Sequence, residues 1–304
     1  MRLLKLLVAA SAVLLFLGLE ASTIWDANEA FYTETPRQMV LSGDYVNPTF
    51  NGAPRFNKPV LSYWMVAGVY QIFGISVWAE RVAIAIGALG IAAAAFVIAR
   101  VLWSVRAAWI AALVILSAPR VVFFARRIFI DVWVTLFMSL VLMFFVLAEA
   151  RPRHRRRYLL LMYAAAGLGV LTKGPVAIAL PALAFGLYLL IERRLRDIPR
   201  MHLLPGALIV IAIVAPWYAM VYAEHGWGHI RDFFIGENIG RYAETVGEQD
   251  RPFLFYAPVL LTELFPWAIF VPAALWAAVG AKRPLVRLLL AWITVIVLVF
   301  TFSS

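Results

Sequence analysis

The chain has 304 residues, 64% of them hydrophobic and 14% charged, with a mean hydropathy of +0.86 and a formal net charge of +10. So apolar a composition excludes an ordinary water-soluble domain, and the lack of cysteine excludes disulfides and thiolate metal sites. The basic residues sit in short stretches between apolar runs, which argues against a nucleic-acid partner and reads as membrane topology.

A run of roughly 20 apolar residues crosses a bilayer as a helix, because inside lipid the backbone must satisfy its own hydrogen bonds. Taken in chain order, nine such runs cover about 3–20, 80–99, 107–124, 131–150, 158–172, 176–191, 203–223, 253–280 and 288–302. The expected fold is all-α: a polytopic transmembrane helical bundle forming one domain over 1–304. Arg2 and Lys5 precede the first run, which reads as a retained anchor and not a cleaved signal peptide.

Counting alternate crossings puts Arg100, Arg106, the Arg151–Arg157 cluster, Arg193, Arg194, Arg196, Arg200, Lys282, Arg283 and Arg287 on one side, the inside by the positive-inside rule. Of the 17 carboxylates, Glu149, Glu192 and Asp197 share that side and Glu20 marks a boundary; the remainder lie in or beside the outer loops. Carboxylate chemistry is therefore expected to face outward. Two outer loops are long, 21–79 and 224–252, and both mix Trp, Tyr and Phe with charges. Within the first, Val60–Phe73 is apolar but short for a crossing, and is expected to lie in the membrane interface as a helix.

The first loop opens Trp25-Asp26-Ala27-Asn28-Glu29, and its spacing puts Asp26 and Glu29 near the first turn of a helix that ends near Gly43. Both carboxylates read as a helix cap, as a catalytic pair, or as both at once. Further on, Pro59 biases Lys58 toward extended backbone beside Asn57, presenting a cation at headgroup depth with Tyr63 and Trp64 following. Asp131 opens a span at its outer end, four and five residues after Arg127 and Arg126, and an ionisable group there invites a functional reading. Its competing reading is an acid favoured by the positive end of its own helix. Arg120, beside Pro119 in an interrupted run, and Lys173, in the turn Thr172-Lys173-Gly174-Pro175, add cations on the same side. The second loop supplies Glu237, Asn238, Arg241, Glu244 and Arg251, together with His225 and His229 at helical ligand spacing but without a clear third ligand.

Carboxylates beside cations over an apolar floor suit a lipid phosphate. Lys and Arg would hold a phosphate as it becomes the leaving group, while a carboxylate takes the proton from an acceptor hydroxyl.

Ordered along the whole chain, Asp26–Met39 with Gly43-Asp44, Arg55-Phe56-Asn57-Lys58-Pro59 leading to Tyr63-Trp64, Asp131, and Leu171-Thr172-Lys173-Gly174-Pro175 form a recognisable succession. It continues through Pro216-Trp217-Tyr218, Glu237-Asn238-Ile239-Gly240-Arg241, Arg251-Pro252-Phe253 and Pro266-Trp267. On these motifs the chain resembles bacterial members of the protein O-mannosyltransferase and lipid A aminoarabinose transferase group, with the C-type glycosyltransferase (GT-C) fold. The resemblance implies an enzyme of the bacterial inner membrane that moves a sugar from a polyprenyl (undecaprenyl) phosphate to a lipid, glycan or protein acceptor on the outer face, with inversion at the anomeric carbon. It further implies Asp26, Glu29 and Asp131 as catalytic carboxylates and Lys58 near the donor phosphate. Asn28, Asn57, Tyr63, Arg126, Arg127, Lys173, Asn238 and Arg241 join Lys58 as donor-phosphate or substrate-binding candidates.

Related enzymes commonly have Asp-Glu where this chain has Asn28-Glu29, Arg where Phe31 stands, and Glu-Lys where it has Asn57-Lys58. Asn cannot act as a general base, so Asp26 or Glu29 is expected in that role. The Asn at 57 weakens any inherited metal site, so none is predicted, and dependence on a divalent ion is left open. No cofactor is expected beyond the polyprenyl-phosphate sugar as donor. The family usually continues well past this length, so the chain reads as truncated. The competing readings are a polyprenyl-phosphate lipid transporter, which would place ionisable groups near the membrane midplane, and a non-catalytic relative of the transferases.

Overall fold

The computed structural model describes residues 1–24, 27–240 and 255–302, apart from the side chains of 28, 237–240, 256 and 257. The helices are α1 (Arg2–Leu14), α2 (Ala27–Ser42), α3 (Leu61–Phe73), α4 (Val77–Leu102), α5 (Val105–Ser117), α6 (Pro119–Ala125) and α7 (Ile130–Ala150). They continue as α8 (Arg155–Lys173), α9 (Val176–Ile191), α10 (Leu203–His225), α11 (Gly228–Arg231), α12 (Tyr256–Glu263), α13 (Val271–Gly280) and α14 (Pro284–Phe302). A π-helical segment (Asp232–Gly240) follows α11, and a two-stranded antiparallel hairpin, β1 (Thr49–Phe50) and β2 (Ala53–Pro54), interrupts the first loop. The helical bundle is as expected from sequence.

Among the described residues, α4, α7, α10 and α14 are long and apolar enough to cross a membrane. The run expected at 107–124 is instead two helices, α5 and α6, bent by 62°. Pro119 explains the break: it lacks an N–H for the ladder and holds Ala118 extended (ψ 125°), so one helix must end and another start with Pro at its first position. The run expected at 253–280 is likewise divided, into α12, a 3-10 turn (Trp267–Phe270) and α13, around Pro266. The first run is helical only from Arg2 to Leu14.

Helix starts follow the caps in the sequence. Ser76 and Ser104 accept hydrogen bonds from the amides of Ala79 and Ala107 and so begin α4 and α5. The α8–α9 turn needs Gly174, whose φ of 102° a side chain would resist.

In lipid, water does not drive helices together, so close packing must hold the bundle. α4 lies against both α5 and α7, α7 against α8, and α8 against α9 and α10; α14 closes on α9. Two apolar clusters result. One joins Val60 and Tyr63 of the first loop to Ile128, Ile130, Trp133 and Leu171, and so seats that loop on the bundle end where α7 begins and α8 finishes. The other joins Leu147, Leu159, Tyr188, Met201 and Leu288 at the opposite end. Twenty-one residues of α7 separate the ends by roughly 30 Å, a hydrocarbon thickness. α3 is shared between these roles: Tyr63, Val66, Ala67 and Tyr70 are buried against the protein, while Ile72 and Phe73 are exposed.

The basic end gathers its charges around acids. Glu149 accepts from Arg155 and Arg194, Asp197 from Arg194 and Arg200, and Glu192 from Arg287. The Glu149 carboxylate, through its hydrogen bond, pushes the Arg194 guanidinium above its ordinary value, and Arg194 in turn holds the Asp197 carboxyl below its own.

Candidate active site

Asp131 stands in the first turn of α7 and Lys173 in the last turn of α8. Each charge complements the dipole of its own helix. Because α7 and α8 are antiparallel neighbours, the two side chains meet, and Lys173 Nζ donates to Asp131 Oδ1. The pair is not sealed: Asp131 is 50% and Lys173 33% exposed.

Asp131 edges a cavity of about 250 Å³ whose floor is Ala88 and Ile91 of α4 and whose wall is α6. The broken run is what shapes it. After the bend at Pro119, α6 turns Arg120, Val121 and Phe124 toward Asp131 and presents Val122 and Phe123, with Arg126 just past its end, to a second cavity of about 200 Å³. Arg120 lies 4.5 Å over the Phe124 ring and 3.3 Å from Glu263, while Trp267 Nε1 donates to Ser117 Oγ at 2.9 Å, which ties the chain after α12 to this corner. Glu263 was not anticipated from sequence; the only nearby signal was Pro266-Trp267.

The second cavity is lined by Arg81, Arg126 and Arg127 with Ser22. Arg126 donates to the carbonyls of Leu14 (2.9 Å) and Gly18 (3.2 Å), so it secures the end of α1, and Arg127 lies 4.5 Å over Phe123. Arg81, absent from the sequence-based candidates because it lies inside an apolar run, is the most connected cation here. It donates to the Leu19 carbonyl (2.5 Å), to the Ser22 carbonyl (2.8 Å) and hydroxyl (3.1 Å), and to Glu29.

Glu29 lies on the inner side of the first loop. Its side chain is fully buried, and Oε1 accepts from Arg81 Nη2 at 2.9 Å and Nε at 3.2 Å. So placed, Oε1 of the carboxylate faces a guanidinium. Tyr63 is likewise fully buried and stacks on Tyr32 at 5.7 Å, and burial pushes its phenol up to about 12. Beside it, Arg55 covers the Phe31 ring at 3.5 Å, a use for the aromatic side chain at that position.

Asn57 is exposed and Lys58 half-buried in the turn before α3, on the loop packed against the Asp131 end. Phe56 packs against the rings of both His225 (5.0 Å) and His229 (4.7 Å), which also contact each other at 5.5 Å, so the two histidines hold an aromatic ring. Among the described residues no three His, Cys, Asp or Glu side chains converge as a metal site. His225 also meets Asn47 at 2.7 Å, Asn47 donates to Glu224 at 2.6 Å, and Trp217 Nε1 donates to the Val46 carbonyl at 3.0 Å; together these pin the first loop to α10. Asp26 and Arg241, with Glu244 and Arg251, lie outside the described residues, as do the side chains of Asn28, Glu237 and Asn238.

Comparison with known proteins gives one consistent result. An undecaprenyl phosphate-alpha-4-amino-4-deoxy-L-arabinose arabinosyl transferase from Pseudomonas fluorescens is 32% identical over 92% of this chain and 48% of its own length. One of the same description from Aeromonas salmonicida is 33% identical over 95% and 53%. The chain thus spans about half the length of the curated relatives it matches. A crystal structure of ArnT from Cupriavidus metallidurans bound to undecaprenyl phosphate superimposes with a TM-score of 0.92 at 29% identity, over 99% of this chain and 55% of that one. Its apo state gives 0.87. The fold is therefore the GT-C fold that the sequence motifs implied. The family model for dolichyl-phosphate-mannose-protein mannosyltransferases matches residues 57–219, more than half of the sequence, and the chain belongs to that family.

Proposed function

We propose that the protein is a membrane glycosyltransferase that moves a sugar from undecaprenyl phosphate to an acceptor hydroxyl at the Asp131 end of the bundle. The observation that carries this reading is the half-exposed Asp131 carboxylate, paired to Lys173 at the edge of a cavity that also holds Arg120. Asp131 takes the proton of the acceptor hydroxyl as its oxygen bonds to the anomeric carbon from the face opposite the phosphate. The bond from that carbon to the phosphate oxygen breaks, and undecaprenyl phosphate leaves with the electron pair. A cation beside the departing phosphate stabilises charge that grows in the transition state; Lys58 takes that position, as the family resemblance implies. Lys173 pairs with Asp131 and aims it.

Glu29 is a positioning residue in this scheme: with Arg81 it holds the start of α2 against the chain that follows α1. Asp26, Asn28, Asn238 and Arg241 stay candidates for substrate contact on sequence grounds alone. The basic end, with Arg153, Arg155, Arg156, Arg157, Arg193 and Arg196, faces the cytoplasm by the positive-inside rule, and the Asp131 end therefore faces the periplasm of the inner membrane. The relatives' names make 4-amino-4-deoxy-L-arabinose the first sugar to examine, and the family resemblance makes a lipid A-type glycolipid the first acceptor.

The full-length protein in proteoliposomes is given undecaprenyl-phosphate-linked labelled sugars and an acceptor extract. Label is expected to pass to a lipid acceptor in wild type and not in Asp131→Asn. A wild type that transfers nothing across a broad panel of donors and acceptors sinks the enzyme reading.

A further inference from the structure

The basic end of the bundle carries an open groove of about 590 Å³ between α8 and α10, at the end of α8 opposite Lys173. Its rim holds the exposed Arg153, Arg156 and Arg157. Its floor is Leu160, Leu161 and Ala164, completed by Ile209 of α10. Positions 153, 156, 157, 160, 161 and 164 follow the three- and four-residue spacing of a single helix face. That face is cationic over its first turn and apolar over the next two, the profile of a phospholipid read from headgroup to acyl chain.

Part of this end is already neutralised by acids and part is not. Arg155, Arg194, Arg200 and Arg287 at the same end are matched to Glu149, Asp197 and Glu192. Among the described residues, Arg153, Arg156 and Arg157 pair with no carboxylate. Guanidinium groups bind phosphate through paired N–H donors, and basic grooves between helices at the membrane face are suited to acidic lipid headgroups. A soluble anion would use the rim alone and leave the apolar floor without a function.

We propose that this groove binds an anionic phospholipid from the leaflet at the basic end, with its phosphate on Arg153, Arg156 and Arg157 and an acyl chain along Leu160, Leu161 and Ile209. The site is independent of the transferase reading.

The test is native mass spectrometry of the purified protein titrated with phosphatidylglycerol and, separately, phosphatidylethanolamine. Wild type is expected to retain phosphatidylglycerol preferentially. The triple variant Arg153→Gln, Arg156→Gln, Arg157→Gln should lose that retention by about tenfold or more, given the usual contribution of each basic residue at an anionic membrane surface. Leu161→Glu, which keeps every arginine and sets a carboxylate in the groove, should lose it as well. The control Arg193→Gln, Arg196→Gln, which removes charge from the same end outside the groove, should retain the lipid as wild type does. No preference in wild type overturns the proposal. So does equal loss in the control, which would make the effect one of general charge, or displacement of the lipid by millimolar inorganic phosphate, which would make the site one for a soluble anion. Retention unchanged in Leu161→Glu also overturns it.

Discussion

Arg81 and Glu29 meet at 2.9 Å with side chains 1% and 0% exposed, 52 residues apart in sequence. Neither charge can hydrate, so Glu29 depends on Arg81, and Arg81 on Glu29 and on the carbonyls of Leu19 and Ser22. Removing one partner leaves the other buried and uncompensated, at a cost of about 3–5 kcal/mol. Arg81→Met is therefore expected to lower the thermal unfolding midpoint in detergent sharply. The double variant Glu29→Gln, Arg81→Met should recover part of that loss. Equal midpoints for Arg81→Met and wild type would show that the pair does not hold the fold.

Asp131 and Glu29, both candidates by motif, separate by environment. Asp131→Asn keeps shape but removes the base, and transfer per folded molecule should fall about 100-fold to 10,000-fold with donor binding nearly unchanged. Glu29→Gln should lose transfer only as far as it loses folded protein. Comparing the rate per folded molecule in both variants decides the matter, and a fully active Asp131→Asn would remove Asp131 from the mechanism.

Much of this was legible in the sequence, for physical reasons. Apolar run length exposed the bundle, the 26–43 spacing gave α2, and an acid at the start of α7 beside a basic turn gave the Asp131–Lys173 end. What escaped depends on three-dimensional closure. Nothing in the run 80–99 distinguishes Arg81 from a snorkelling cation, because its partner is set by how α2 docks. Pro119 was visible, but not that the 62° bend before it would build one cavity on each side of α6. Tyr63 and Glu29 looked available because motif carries no burial.

Asp44 offers a pH test outside the spanning helices. Burial alone would raise its carboxyl. The Asn47 side chain, the amides of Asn47 and Val46, and nearby His225 outweigh that and hold it below the ordinary value of 3.8. A depressed carboxyl adds stability that is fully present above its unfolded value and is lost as pH falls through the folded one. The difference in unfolding midpoint between wild type and Asp44→Asn, worth about 1 kcal/mol, should thus be flat from pH 7 to about 5 and shrink below about pH 4. A difference that grows on acidification would contradict the assignment.

Gly206 sets how closely α10 approaches α8. A Cβ there would lie 2.3 Å from Cδ2 and 2.4 Å from Cε2 of Tyr163, so the ring must move. Tyr163 cannot move freely, because its hydroxyl donates to the Met201 carbonyl at 3.1 Å. An apolar cavity of about 520 Å³ bordered by Tyr163, Met201 and Ala207 offers space. Gly206→Ala should push the ring into it, break that hydrogen bond and cost about 1–3 kcal/mol. If steric conflict with the ring is the cause, Tyr163→Ala already forgoes the hydrogen bond and leaves room for the new methyl. The double variant should then unfold well above the midpoint expected from adding the two single effects. Strict additivity would mean that the ring yields without strain and that the helix spacing does not depend on glycine at this position.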